Sequence, residues 1–486
     1  MKGNKLFQIL QTLSRKEMTR FREFAYSPYF NKHGEVQELV GYLSQRYPDF
    51  DEKSCHRTTL FQLLFPQQAH DQNKLAVVFT YTLRLLEAFL VEERYQARQP
   101  LHQILLLDAL RYKKQYTLYE KTLRAAEQAF YQEAAMDVAF YNWKYQLAAE
   151  ADAYFNQIEQ RKTDQSIQLK QNNLDKFYII EKLRDACEMQ VRRRILNVDY
   201  ATRMLEAVVR EVDENPDEYM QEPLILMYYQ IYRMVTQTQH ERYFDALKTL
   251  QQQGTRFSHE VLQEVYNYFQ NYCIEQINKG EGQFLKEIFV LYQARLERGL
   301  LIENAYLSEW HYKNIVTTAI RLREMDWVKN FIEDYKNRLS PEVMENAYRF
   351  NLASYHYAMQ QYDQVLELLL QLEYSDLRYS LGAKALLLRT YYDLEEYDAL
   401  LSLVQSFSLY LKRNKLMADP NREGYQNLFK FARRAAQIRA NIDYTAAAKL
   451  HPQLTKLIAE VSNTSAVFNK GWLLEKLQEL EAAFAT

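Results

Sequence analysis

The chain carries very few of the residues that tight turns require, and this limits its fold more than any other feature. It has ten Gly and nine Pro in 486 residues, against averages of about 7% and about 5%. Neither residue occurs between Pro100 and Pro216. A strand-rich fold needs such residues at each of its many turns. We therefore predict an all-α protein.

Aromatic residues recur at a spacing that predicts tandem helical hairpins. Seven of them follow a short polar turn and precede an apolar helical stretch: Tyr116, Tyr200, Tyr243, Phe284, Trp327, Tyr362 and Tyr397. The steps from the second of these onward are 43, 41, 43, 35 and 35 residues. The first gap, 84 residues, leaves room for one more unit near residue 158. Such a period, with two helices per unit, is typical of an α-solenoid.

We predict three parts along the chain. Residues 1–98 form an N-terminal helical unit, in which a capping box at Ser14 begins the second helix. Residues 99–411 form an α-solenoid of about seven or eight hairpins. Residues 412–486 form C-terminal capping helices, and Trp472 lies on the last apolar face. The N-terminal unit has a net charge of +3, so a DNA-binding role is the alternative to a structural end-cap.

The most regular pair of hairpins spans residues 340–411. Ser340-Pro341-Glu342 predicts a helix that begins at Pro341, because Pro favours the first helical position. Two similar helix–turn–aromatic patterns follow. Leu352, Ala353 and Tyr355 precede Gln360-Gln361-Tyr362 and Val365, and Leu387, Tyr391, Tyr392 and Leu394 precede Glu395-Glu396-Tyr397 and Leu400.

This stretch resembles tetratricopeptide repeats. The resemblance implies a right-handed α-α superhelix that binds proteins or peptides on the concave face of its first helices. The family's turn glycine and the proline after its second helix are absent here. Carried across position by position, the resemblance places these residues on the partner-binding face: Phe350, Asn351, Ser354, Tyr357, Arg389, Tyr392 and Asp393.

Tyrosine is unusually frequent, at 39 residues. Tyr suits a helix interface whose edge stays wet, because its ring is apolar and its hydroxyl is polar. We interpret most of these residues as packing between helices, with an aromatic binding groove as the alternative.

No residue spacing indicates catalysis or metal binding. The nine His form no zinc-helix pair, and Gly280-Glu281-Gly282 lacks the strand and the Gly-Lys-Ser/Thr of a phosphate loop. Cys55, Cys187 and Cys273 are far apart, which favours a reducing compartment. The uncharged runs are about half the ~20 residues of a membrane span. We expect a cytoplasmic, non-enzymatic protein with no cofactor, no metal and no membrane span.

One segment is strongly basic. Residues 412–439 carry eight basic and two acidic side chains, with Tyr425, Phe429 and Phe431 interleaved. Such a pattern can hold single-stranded nucleic acid by phosphate contacts and base stacking. A solvated helix face with buried aromatics is the simpler interpretation. The candidate basic patch comprises Lys412, Arg413, Lys415, Lys430, Arg433 and Arg434.

Two functions follow as hypotheses. The first is a helical-repeat scaffold whose concave face binds a protein or peptide. The alternative is a nucleic-acid-binding or regulatory repeat protein that uses the basic patch or the N-terminal unit. The overall net charge of −2 argues against a dominant non-specific polyanion-binding role.

Overall fold

The structure of the chain is a computed structural model. It describes residues 4–69, 71–132, 135–158, 165–237, 239–372, 377–413 and 419–484. Contacts divide the chain into two compact units, Met1–Tyr232 and Arg233–Thr486. The predicted division at residues 98 and 411 stays a prediction.

The first half of the chain is a succession of helices. Their bounds are α1 Lys5–Leu10, α2 Arg15–Tyr26, α3 Gly34–Ser44, α4 Arg57–Leu64, α5 Gln72–Gln96, α6 Gln99–Tyr112, α7 Tyr116–Gln132, α8 Val138–Ile158, α9 Ser166–Leu196, α10 Leu205–Glu214, α11 Pro216–Tyr219 and α12 Pro223–Thr236.

The second half continues in the same way, with one two-stranded antiparallel hairpin. The elements are α13 Glu241–Gln253, α14 His259–Asn278, α15 Phe284–Glu297, β1 Ile302–Glu303, β2 Tyr306–Leu307, α16 Glu309–Arg321, α17 Met325–Tyr335, α18 Met344–Ala358, α19 Tyr362–Leu370, α20 Leu377–Asp393, α21 Tyr397–Arg413, α22 Asp419–Ala440, α23 Ala447–Asn463 and α24 Lys470–Ala483.

The predicted all-α class is confirmed. Successive helices pack against each other as pairs, such as α6 with α7, α8 with α9, α18 with α19 and α20 with α21. Each first helix also packs against the first helix of the next pair, as α16 does with α18 and α18 with α20. This is the packing expected of a helical repeat, in which each unit buries its apolar face against its neighbours.

The N-terminal helices share one core. Buried apolar side chains from α1 to α5 form a single cluster that includes Leu10, Phe21, Leu39, Phe61 and Phe89. The predicted capping box is present, because Ser14 Oγ accepts from the Glu17 amide and the Glu17 carboxylate accepts from the Ser14 amide. These contacts satisfy amides that the start of α2 would otherwise leave unpaired.

The same turn joins the two helices in several hairpins. One residue has a positive φ, and the amide after it donates to a carbonyl five residues back, which is the Schellman geometry of a helix end. In the turn after α18, Gln360 has φ 59°, and the Gln361 amide lies 2.9 Å from the His356 oxygen. The residues at this position are Lys114, Gly280, Arg323, Gln360 and Glu395.

These turns explain the ladder of aromatic residues. Five of its seven members come within four residues after the left-handed residue of such a turn and lie in the first turn of the next helix: Tyr116, Phe284, Trp327, Tyr362 and Tyr397. Their rings pack between helices, as Trp327 of α17 does against Phe289 of α15, with ring centres 4.8 Å apart. Of the other two, Tyr243 lies in the first turn of α13, and Tyr200 lies outside any helix, because residues 197–204 contain none.

The predicted start of α18 was wrong. Pro341 does not occupy the first helical position, because residues 341–343 form a turn and the helix begins at Met344. Backbone hydrogen bonds from Val343 and Met344 to the Ser340 carbonyl close that turn. The Ser340-Pro341 pair therefore marks a turn that precedes the helix.

Replacing Gln360 by Gly is expected to stabilise the protein. A non-glycine residue in the left-handed region pays a steric cost that Gly avoids, so we expect a gain of about 0.5 to 1 kcal/mol. Gln360 is exposed. The measurement is the midpoint of thermal unfolding, followed by far-ultraviolet circular dichroism.

Ala358→Gly is the matched control. Ala358 is an exposed residue two positions away and the last of α18, where the backbone is helical and Gly should cost up to about 1 kcal/mol. The two substitutions should therefore shift the midpoint in opposite directions. A lower midpoint for both variants would contradict the turn geometry.

Candidate functional site

Four of the predicted binding residues meet where α18 and α20 end. Tyr357, Arg389, Tyr392 and Asp393 form what we call the Asp393 cluster. The Tyr357 hydroxyl donates a hydrogen bond to Asp393 Oδ2. Arg389 Cζ lies 4.2 Å from the centre of the Tyr357 ring, a cation–π contact. Burial and the Asp393 carboxylate raise the pKa of Tyr357, so its hydroxyl remains a donor.

The Asp393 carboxylate is nearly enclosed, and a buried charge needs partners. Its side chain is 6% exposed, and Lys476 Nζ of α24 lies 3.2 Å from Oδ1. Lys476 also lies 3.0 Å from Glu479. Burial lowers the pKa of Lys476, but Glu479 and Asp393 outweigh that effect and leave the pKa above its usual value. Asp393 therefore faces a charged ammonium group.

The last helix covers the Asp393 cluster. The Trp472 ring lies edge-on to Tyr392, with ring centres 5.5 Å apart, and Arg389 Cζ lies 5.5 Å from the Trp472 ring. Trp472 and Lys476 are four residues apart and so share one face of α24. The C-terminal helix thus occupies this part of the predicted binding face.

The other three predicted residues of this face have structural partners. Asn351 is 1% exposed, and its Nδ2 donates to the Ala347 carbonyl at 2.7 Å. Ser354 Oγ donates to the Phe350 carbonyl at 2.9 Å. Phe350 is buried, and its ring lies directly over Gly382 of α20, where a Cβ would come within 3.0 Å of it. Asn351 and Ser354 thus bond to the backbone of their own helix, and Phe350 packs between α18 and α20.

Three members of the basic patch lie along α22. Lys430 and Arg433 are exposed, and neither makes an ion pair within the described residues. Arg434 reaches α23, where its Nη2 lies 3.3 Å from Glu460 Oε1. The side chains of Lys412 and Arg413, at the end of α21, and the whole of Lys415 lie outside the described residues.

The aromatic residues of the basic segment pack inward. Phe429 is 3% exposed and stacks on Phe407 of α21 at a ring-centre distance of 3.7 Å. Phe431 is buried, and the half-buried Tyr425 ring stacks on Phe468 at 4.2 Å. The simpler interpretation of this segment therefore fits its aromatic residues. The nucleic-acid alternative stays a prediction, but Tyr425, Phe429 and Phe431 offer no exposed ring on which a base could stack.

A groove of about 840 Å³ runs between α21 and α22. Its apolar lining includes Phe407, Leu411 and Phe429, which are buried, and Leu409, which is 55% exposed. Lys430, Arg433 and Arg434 line the α22 side, and no carboxylate lies among the described residues of the lining. The groove thus combines an apolar floor with a cationic edge.

A smaller groove lies on the other side of α22, against α23. It has a volume of about 520 Å³ and shares Arg434 with the first. Lys456 of α23 adds a further exposed cation, and its described lining again contains no carboxylate. Positive charge therefore continues across the ridge that α22 forms.

The cysteines lack the signs of reactive thiols. Cys55, Cys187 and Cys273 are buried, and none of the three is in a disulfide. Burial raises the pKa of Cys55 and raises that of Cys273 to about 12. Since the thiolate is the nucleophile, these two thiols are poorly suited to catalysis. In the described parts of the chain, no group of three His, Cys, Asp or Glu side chains could hold a metal ion.

The membrane expectation rests on helix length and polarity. Within the described ranges, no helix combines the length and the apolar character needed to cross a bilayer.

Comparison of the chain with protein families and with curated proteins finds none that matches it.

Sequence reasoning located the Asp393 cluster and the cations of α22, but it missed two contributors. Lys476 was not singled out, because its pairing with Asp393 depends on how α24 docks. Leu409 was missed because it belongs to an apolar helix whose neighbour was unknown. The i, i+4 spacing of Trp472 and Lys476 was the only available signal, and it does not name the helix they contact.

Lys476→Met is expected to loosen α24. The substitution leaves the Asp393 carboxylate nearly enclosed without its cation, which should lower the free energy of opening by about 1 to 3 kcal/mol. Amides of α24 should then exchange with deuterium faster under native conditions. The measurement is hydrogen exchange by mass spectrometry on the intact chain.

Glu475→Gln is the control on the same helix. Glu475 is exposed, so removing its charge should leave the exchange of α24 close to that of the unmodified protein. Equal acceleration by both variants, or none by Lys476→Met, would contradict the Asp393–Lys476 contact.

Proposed function

We propose that the chain is a non-enzymatic helical-repeat scaffold that binds a protein or peptide partner. The observation that carries the proposal is the groove between α21 and α22. It is large, partly apolar and edged by exposed cations that have no ion pair among the described residues. Apolar concavities with a few convergent polar groups are typical of binding sites.

The groove offers more to a partner than the Asp393 cluster does. At the cluster, α24 already supplies an aromatic ring and a cation to α20. At the groove, Leu409 and Arg433 remain exposed. An incoming chain gains most where apolar surface and charge are still solvated, since it buries the first and pairs the second. We therefore assign partner binding to the groove.

The repeats are proposed to be tetratricopeptide-like. Support comes from the 35-residue step between Tyr362 and Tyr397 and from the matching turns at Gln360 and Glu395. At both turns the residue that ends the first helix is left-handed although it is not glycine. A cytoplasmic location is part of the proposal, and three buried cysteines outside any disulfide support a reducing compartment.

Filling the groove should remove the partner. Ser408 is an exposed residue of its lining, so Ser408→Trp places a large ring in the space. We expect recovery of a specific partner to fall about tenfold or more, because a steric block costs well over 1.4 kcal/mol of binding. The measurement is quantitative mass spectrometry of proteins that copurify with the tagged intact chain from its source cells.

Ser402→Trp is the matched control. Ser402 is also an exposed serine of α21, but it does not line the groove, so this variant should keep the partner. If no partner copurifies reproducibly with the unmodified chain, the scaffold proposal fails. If one copurifies equally well with all three proteins, the scaffold stands and the groove assignment fails.

A further inference from the structure

We infer that the groove between α21 and α22 receives an amphipathic α-helix of the partner, with an apolar stripe bordered by acidic side chains. The inference rests on the proposed function, because it presumes that the chain binds a protein or peptide. It adds the conformation and the chemistry of the bound segment.

The shape of the groove fits a helix of a few turns. Along α22 the lining runs from Gln426 to Gln437, which is about 16 Å, or three turns. Along α21 it runs from Val404 to Leu411, which is about 10 Å. Two neighbouring helices with a gap between them form the surface into which a third helix packs.

The apolar part of the groove calls for an apolar stripe on the partner. Leu409 is 55% exposed, whereas Phe407 in the same lining is only 1% exposed. The other exposed lining residues of α21 are Gln405 and Ser408, which are uncharged. A partner side chain that covers Leu409 therefore desolvates no charge among the described lining residues of α21. Burial of such surface is the main favourable term in association.

The cations of the groove call for acidic residues beside that stripe. Lys430 and Arg433 are three residues apart and so lie on one face of α22. Both are exposed, and neither makes an ion pair within the described residues. Arg434 is held by Glu460, so among the described lining residues Lys430 and Arg433 are the cations available to the partner. Acidic side chains one turn apart on a helix match this spacing.

The groove is less suited to single-stranded nucleic acid. Bases bind by stacking on exposed aromatic faces. Here the Phe407 and Phe429 rings are stacked on each other at 3.7 Å, and both are buried. No other aromatic residue lines the groove within the described residues. Phosphate contacts alone would remain, without the stacking that single-strand binders use.

The test is a selection from a displayed library of random peptides of about 14 residues, or four helical turns, on the intact chain. The best peptides are then synthesised, and their affinity is measured by fluorescence anisotropy. We expect the enriched sequences to combine apolar residues at helical spacing with Asp or Glu beside them. A labelled oligothymidylate strand is titrated in parallel at low salt.

Charge reversal in the groove should weaken these peptides. For the double variant Lys430→Glu, Arg433→Glu we expect affinity to fall about tenfold or more, because two attractive contacts become repulsive. Lys449→Glu is the control, since Lys449 is an exposed cation of α23 outside both grooves. The control should bind as the unmodified chain does, and circular dichroism checks that all variants fold.

Four results would overturn the inference. The first two are enriched peptides that lack acidic residues and peptides whose binding withstands the double variant; in both cases peptide binding itself stands. The third is oligothymidylate binding that the double variant abolishes, which would make the groove a nucleic-acid site. The fourth result is the absence of any enriched peptide. The proposed function itself is tested separately, by the copurification experiment.

Discussion

The left-handed residue that ends a first helix is the constraint on which the hairpins depend. At Gln360 and Glu395 it reverses the chain within a few residues, and paired amides satisfy the last carbonyls of α18 and α20. The aromatic residue that follows is then held against the helix before it, as Tyr362 is against Tyr357, with ring centres 5.7 Å apart. The turn and the aromatic ring together fix how the two helices of each hairpin align.

This alignment also places the polar residues. Tyr357 and Asp393 each lie in the last turn before such a reversal, and so they meet across neighbouring hairpins. A nearly buried carboxylate requires a cation, and α24 supplies one through Lys476. The C-terminal helix thereby closes one end of the repeat. The groove between α21 and α22, by contrast, leaves the Leu409 side chain and the charges of Lys430 and Arg433 exposed to solvent.

The sequence predicted what local chemistry determines. The scarcity of Gly and Pro indicated helices, the capping box at Ser14 is present, and the aromatic ladder located most turns. It could not show that Gln360 takes a conformation usual for Gly, because neighbouring hydrogen bonds impose it. The contact of Lys476 with Asp393 was also beyond it, since the two residues are 83 positions apart and only tertiary packing brings them together.

The measurement that tests the groove most directly is hydroxyl-radical footprinting of the intact chain, free and bound to its copurifying partner. Leu409 lines the groove and is 55% exposed, whereas Leu370 is 71% exposed on α19 and lies outside it. We predict that the partner slows oxidation of Leu409 and leaves that of Leu370 unchanged. Unchanged oxidation of Leu409, with protection confined to Tyr357 and Tyr391 near the Asp393 cluster, would contradict the assignment.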